Sequence, residues 1–236
     1  MTTRVIFFDA VGTLFTVRGS VGEVYSRVVA DYGVVVDPQV LNRAFYRVFE
    51  QAPAAAFPEA TPEQVPELER RWWREVVLKT FEGLGLGGFP GFEAYFQEVY
   101  DLFAEAQVWM LYPETLPVLD YLQRRGIPMG IISNFDSRLF AVLASLGLTG
   151  YFESITSSST VGYAKPSPRI FRQALEKHGI PAPQALHIGD SFRQDFQGAL
   201  QSGLQGLWLN REGSASPRGG EIRDLWGIRG VLEQAV

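Results

Sequence analysis

The chain has 236 residues, 46% apolar and 20% charged, which is length enough for one large domain or for a core carrying a smaller lobe. A formal net charge of −5 gives no general attraction to nucleic acid or anionic membranes, and the absence of cysteine excludes disulfides, thiolate nucleophiles and cysteine-bound zinc. Two histidines, His178 and His187, are too few for an imidazole-rich metal centre, and no apolar run approaches the roughly 18 residues of a membrane helix.

In chain order, residues 5–9 form a continuous apolar run that ends on a carboxylate, Asp9, followed by a Gly-Thr turn, Gly12 and Thr13. That is the pattern of a buried strand delivering a polar group at its end. Residues 20–32, 38–51, 62–82 and 91–106 then carry helical spacing with many aromatics and no convincing strand between them. They predict a helical lobe, residues 17–111, inserted into a core of residues 1–16 and 112–236, with hinges near 16–20 and 111–113. Adjacent Trp72 and Trp73 would point about 100° apart on a helix, so at least one is expected in the lobe's core. Residues 83–88, GLGLGG, match a dinucleotide fingerprint, but they follow a helix rather than a strand and are read as a helix-helix loop.

Beyond the lobe, strands are predicted at 128–133, 153–158, 185–190 and 206–210, and helices at 115–125, 136–146, 168–178 and 192–201, several closed by glycine: Gly126, Gly147, Gly179 and Gly203. Residues 213–220 read as a surface loop and 221–235 as a short terminal helix. Strands alternating with helices imply an α/β fold, a doubly wound parallel sheet with an inserted α-helical cap.

In such a sheet, ligands bind where strands end at their carboxyl edge. Four polar clusters fall at such ends: Asp9 with Gly12 and Thr13, Ser133 with Asn134, Lys165 in GYAKPSP, and Asp190 with Asp195 in GDSFRQD. Singly, each has an ordinary role as a turn residue, helix cap, solvated lysine or surface acid. Together they are what phosphoryl transfer requires: a carboxylate nucleophile, further acids to hold a magnesium ion, a lysine against equatorial charge, and a hydroxyl with a backbone amide for the phosphate.

These stretches, with IISN at 131–134, resemble in order and spacing the four motifs of the haloacid dehalogenase-like hydrolase superfamily, and the predicted lobe is similar to its helical cap. The resemblance implies that Asp9 becomes a phospho-aspartate and ligates Mg2+, together with the Val11 carbonyl, Asp190 and Asp195. It implies further that Ser133 and the Asn134 amide bind the phosphoryl oxygens with Thr13 supporting them, and that Lys165 neutralises nucleophile and phosphate. The expected substrate is a small phosphorylated metabolite, and the expected protein a cytoplasmic monomer or homodimer with neither nucleic acid nor membrane as partner. One position departs from the pattern. Most phosphatases of the superfamily carry a second Asp two residues after the nucleophile as general acid and base, and Val11 stands there. Three readings follow: a phosphatase with weakened acid-base catalysis, a 2-haloacid dehalogenase, or a phosphate-binding protein whose phospho-aspartate persists.

Overall fold

A computed structural model describes residues 3–214 and 219–233. The chain runs β1 (Val5–Phe8), β2 (Phe15–Val17), then helices α1 (Val21–Ala30), α2 (Pro38–Gln51), α3 (Val65–Glu82) and α4 (Phe92–Leu102), and returns through β3 (Trp109–Leu111). There follow α5 (Thr115–Arg124), β4 (Met129–Ser133), α6 (Leu139–Ser145), β5 (Ser154–Ser157), α7 (Ser158–Val161), α8 (Pro168–His178) and β6 (Ala185–Gly189). A π-helix (Phe192–Gln197), α9 (Gly198–Gln201), β7 (Gln205–Leu209), β8 (Glu221–Ile222) and α10 (Ile228–Glu233) complete it.

The expected doubly wound sheet is present, with strand order β5-β4-β1-β6-β7-β8 and every pairing parallel. Strand β1 is buried on both faces because its four residues are all apolar and alternate between two cores. Ile6 and Phe8 pack with Leu119 and Leu122 of α5 and Leu139 of α6, whereas Val5 and Phe7 pack with Ile170 and Phe171 of α8. Gly126, Gly147, Gly179 and Gly203 end their helices at φ between 60° and 82°, where a side chain would be strained.

Helices α1–α4 bury a separate apolar cluster that includes Tyr25, Phe45, Phe81, Tyr95 and Phe96. Here the structure departs from the sequence reading in one respect. The outgoing and returning chains pair as an antiparallel ribbon, β2 with β3, in register Phe15↔Leu111, Thr16↔Met110 and Val17↔Trp109. Strands of three residues are too short to show a period, and the hinges expected near 16–20 and 111–113 only overlap their ends. GLGLGG does lie between two helices, α3 and α4. Trp72 and Trp73 are both half-buried, so neither is a full core residue; Trp72 caps its ring by donating to the Pro53 carbonyl.

Three other boundaries shift. The helix expected from residue 136 starts at Leu139, the segment expected as one helix at 192–201 begins as a π-helix, and the expected terminal helix is a short strand, a single 3₁₀ turn at Leu225–Gly227 and then α10. Part of the loop expected at 213–220 lies outside the described residues.

Because Phe8 is fully buried between β4, β6 and the α5 layer, Phe8→Ala is expected to cost about 3–5 kcal/mol. Urea denaturation should show that loss as a lower midpoint at unchanged slope.

Candidate active site

Asp9, Ser133 and Asp190 follow or end the three central strands at one sheet edge, and the strand order reverses there: the chain fills the β4 side of β1 first and the β6 side afterwards. Asp9 is fixed by its amide, which donates to the Ile188 carbonyl at 2.8 Å. The turn beyond it is tight, with the Gly12 amide on the Phe15 carbonyl and the Leu14 amide on the Ala10 carbonyl, both 2.8 Å. Gly12 has φ +86°, and a Cβ there would stand 2.3 Å from Asp190 Oδ2. A glycine is therefore needed twice over, for the turn and for the acid that lies against it.

The Lys165 ammonium is buried at the centre. Its Nζ donates to Asp9 Oδ1 at 2.6 Å, Asp195 Oδ1 at 2.6 Å and the Ile132 carbonyl at 2.8 Å, which uses all three of its protons. The backbone around it is clamped by Asn134, whose Oδ1 accepts from the Lys165 amide at 2.7 Å while Nδ2 donates to the Lys165 carbonyl at 3.0 Å. Burial pulls the Lys165 ammonium down, but Asp195 and Asp9 outweigh it and hold the pKa above the ordinary lysine value.

The acids divide. Against desolvation, Lys165 and the His187 hydrogen bond keep Asp195 well below the usual carboxylate range. Asp195 Oδ1 meets His187 Nε2 at 2.8 Å and its Oδ2 accepts from the Ser191 amide at 3.0 Å. Desolvation raises Asp9 in spite of Lys165, with the Asp195 charge adding to the rise. Asp190 keeps solvent-exposed surface, and its carboxyl is pushed up to about 7 by desolvation against the turn and by the Asp9 and Asp195 charges. Carboxylate oxygens of Asp9, Asp190 and Asp195 lie within 4.8 Å of one another.

Of the other expected residues, Ser133 is buried and lines the cavity above Asp9, as does Asn134, although the Asn134 side chain is committed to Lys165. Val11 lines the cavity as well. Thr13 is fully buried, and its Oγ1 has no protein partner among the described residues.

Sequence reasoning missed three participants, His187, Glu69 and Asp136. His187 hides inside the apolar run of β6, and only the fold reveals that its ring reaches Asp195. Glu69, Asp136 and Arg138 form a buried junction between the sheet and the helices. Glu69 of α3 accepts from the Ser137 amide at 2.9 Å and the Ser137 hydroxyl at 2.5 Å; Asp136 accepts from Trp73 Nε1 at 2.5 Å and pairs with Arg138, whose Nη1 donates to the Tyr100 carbonyl of α4 at 2.8 Å. Arg138 lines the cavity in this paired state, whereas Arg18 donates to the Trp109 carbonyl.

The sequence model of the haloacid dehalogenase-like hydrolases matches residues 3–203. The chain is 31% identical over 221 residues to haloacid dehalogenase-like hydrolase domain-containing protein 3 of Mus musculus, covering 94% of this chain and 86% of that one. It is 31% identical over 148 residues, 59% of each chain, to a phosphoserine phosphatase of Thermus thermophilus. The fold matches that of L-2-haloacid dehalogenase from Xanthobacter autotrophicus with a TM-score of 0.73 at 16% identity, over all of both chains.

The raised pKa of Asp190 has a signed consequence for stability. A carboxyl that titrates at about 7 in the folded protein and near 3.8 in the unfolded chain binds more protons when folded between those values. Its contribution is full below about pH 4 and lost as pH rises through about 7. In chelator, the wild-type unfolding free energy is expected to fall more steeply over that window than that of Asp190→Asn, as measured by urea denaturation at each pH.

Proposed function

This chain belongs to the haloacid dehalogenase-like hydrolase family, and on that footing we propose that it is a magnesium-dependent phosphatase of a small phosphorylated molecule, with residues 17–111 as a helical cap over a core of residues 1–16 and 112–236. The observation that carries the reading is the charge at the centre of the site. Three carboxylates against one ammonium leave a formal charge of −2 in a space where the acids already repel one another. Hard oxygen donors at that density suit a small divalent cation.

Asp9, Asp190, Asp195 and the Val11 carbonyl would hold Mg2+, which when bound offsets the carboxylate charge and draws phosphoryl oxygens to the site. The rest falls to the chain's own groups. Lys165 donates to Asp9 Oδ1, which leaves Oδ2 as the oxygen available to attack phosphorus. As Asp9 attacks, the ester P–O bond breaks and its electron pair leaves on the ester oxygen, while Ser133, the Asn134 amide and Thr13 position the phosphoryl group. Water then cleaves the phospho-aspartate, which returns the Asp9 carboxylate and releases phosphate.

Val11 has no proton to give or take in either half. A positioned acid-base group is worth roughly 10²–10⁴-fold, so turnover is slow and favours leaving groups that need no protonation. The same residue supports a second reading, a phospho-aspartate that persists because no base activates water. A dehalogenase would bring a carboxylate substrate against Asp190 and Asp195, and that charge counts against it.

The test is phosphate release from a metabolite panel. Wild type should release phosphate with Mg2+ and not in chelator, Asp9→Asn should release none, and Val11→Asp should gain about 10–100-fold on alkyl phosphates. A Val11→Asp variant no faster than its parent would remove the role given to Val11. Intact mass after acetyl phosphate and Mg2+ separates the second reading, which requires a lasting added phosphoryl group on Asp9. Chloride release from 2-chloropropionate in chelator would replace both with dehalogenation.

A further inference from the structure

The cavity above Asp9 encloses about 520 Å³, far more than a phosphoryl group fills and within the range of pockets that hold whole organic ligands. Its floor is the acid cluster, and its walls come from α1–α4, where Tyr25, Phe45, Phe49, Trp73, Phe96 and Tyr100 face it. Three of those rings form one stacked column. Phe49 stacks on Phe45 at 5.4 Å and 20° and on Trp73 at 5.8 Å and 21°.

The chamber is also short of charged groups to recognise a charged substrate body. Arg138 is the one cation among its described lining residues, and its charge is already paired: Nε and Nη2 donate to the Asp136 carboxylate and Nη1 to the Tyr100 carbonyl. Its planar face is taken as well, 3.9 Å from the Tyr100 ring centroid and 5.1 Å from that of Trp73. A carboxylate or second phosphate in the chamber finds no free cation, and an ammonium finds acids only at the floor, where the phosphoryl group sits. The polar groups the walls add are neutral, among them the side chains of Tyr25, Tyr46, Tyr100 and Tyr112.

We propose that the site takes phosphomonoesters of an uncharged aromatic body, with the phosphoryl group at Asp9 and the rings against the Phe45–Phe49–Trp73 column. The assignment rests on the phosphatase reading and narrows it to a substrate class. It also meets the constraint set by Val11 from a separate direction. When Asp9 attacks phosphorus and the P–O bond breaks, an aryl ester departs as an aryl oxide that carries the electron pair without needing a proton, and water later supplies the proton together with the oxygen of the released phosphate. Phosphoserine, the substrate in the name of the Thermus thermophilus relative, carries both an ammonium and a carboxylate that this chamber leaves unpaired.

Calorimetric binding in Mg2+ tests the assignment without turnover, using 2-naphthylmethylphosphonate, methylphosphonate and 2-amino-3-phosphonopropionate as probes. The naphthyl compound should bind at least about tenfold tighter than either of the others, and Phe49→Ala, a change at a residue 38% exposed, should remove most of that advantage. Equal affinities in wild type, or tighter binding of the amino acid analogue, would overturn it. Parallel phosphate-release assays on 2-naphthyl, ethyl and seryl phosphates keep the two levels apart. Release from ethyl and seryl phosphates with no preference for the naphthyl ester overturns the substrate class and leaves the phosphatase. A naphthyl binding preference with no release from any ester supports the chamber assignment and overturns the phosphatase.

Discussion

The buried ammonium of Lys165 is the group around which the site is arranged. Taking one cation and two carboxylates out of water is costly unless distances are short and every proton is used, and here Nζ sits 2.6 Å from Asp9, 2.6 Å from Asp195 and 2.8 Å from the Ile132 carbonyl. Those partners come from the ends of β1 and β4 and from the π-helix after β6, so the sheet order that puts β1 between β4 and β6 is a condition of the charge cluster. The π-helix follows from the same demand. Asp195 must bond Lys165, His187 and the Ser191 amide at once, and the wider turn between Phe192 and Gln197 is where its side chain enters the centre.

The loop after β4 joins this cluster to the helices. Asn134 holds the backbone of Lys165, and within four residues Asp136, Ser137 and Arg138 hold Trp73 and Glu69 of α3 and the Tyr100 carbonyl of α4. That explains why α6 starts at Leu139 rather than at residue 136: the Asp136 carboxylate also accepts from the Arg138 amide at 2.9 Å, which keeps the first three residues in a capped turn. Removing either member of the Asp136–Arg138 pair would leave a buried charge, so the loop's shape and the chamber's neutrality are one property.

What was legible in the sequence was whatever local patterning dictates. Unbroken apolar runs that end in polar residues gave the core strands, since both faces of β1 are buried, and glycines marked helix ends that need positive φ. The convergence of Asp9, Ser133, Lys165, Asp190 and Asp195 was readable because parallel topology sends strand ends to one edge. Illegible were features set by distant partners. The β2–β3 ribbon joins residues about ninety positions apart, with Val17 opposite Trp109, and has no period to detect. His187 looks like one residue of an apolar strand until Asp195 arrives beside it, and Glu69 looks like a surface acid of an amphipathic helix until Ser137 covers it. Charge that is buried by tertiary pairing leaves no local mark.

The chamber also bears on what replaces the missing acid at position 11. A useful proton donor has a pKa near the working pH. Among the tyrosines that line the cavity, desolvation pushes Tyr25 and Tyr46 upward and Tyr100 up to about 12, so these hydroxyls hold their protons too tightly to serve. Asp190 has a suitable value without metal, but on the proposed reading it is a metal ligand and carries no proton when the cation is bound. The constraint therefore passes to the substrate. An oxygen whose conjugate acid lies at about 10, as in a phenol, leaves as an anion far more readily than one near the 15.7 of water, so on the proposed phosphatase reading a chamber walled by stacked rings and a first motif with valine in place of aspartate would select for the same kind of ester.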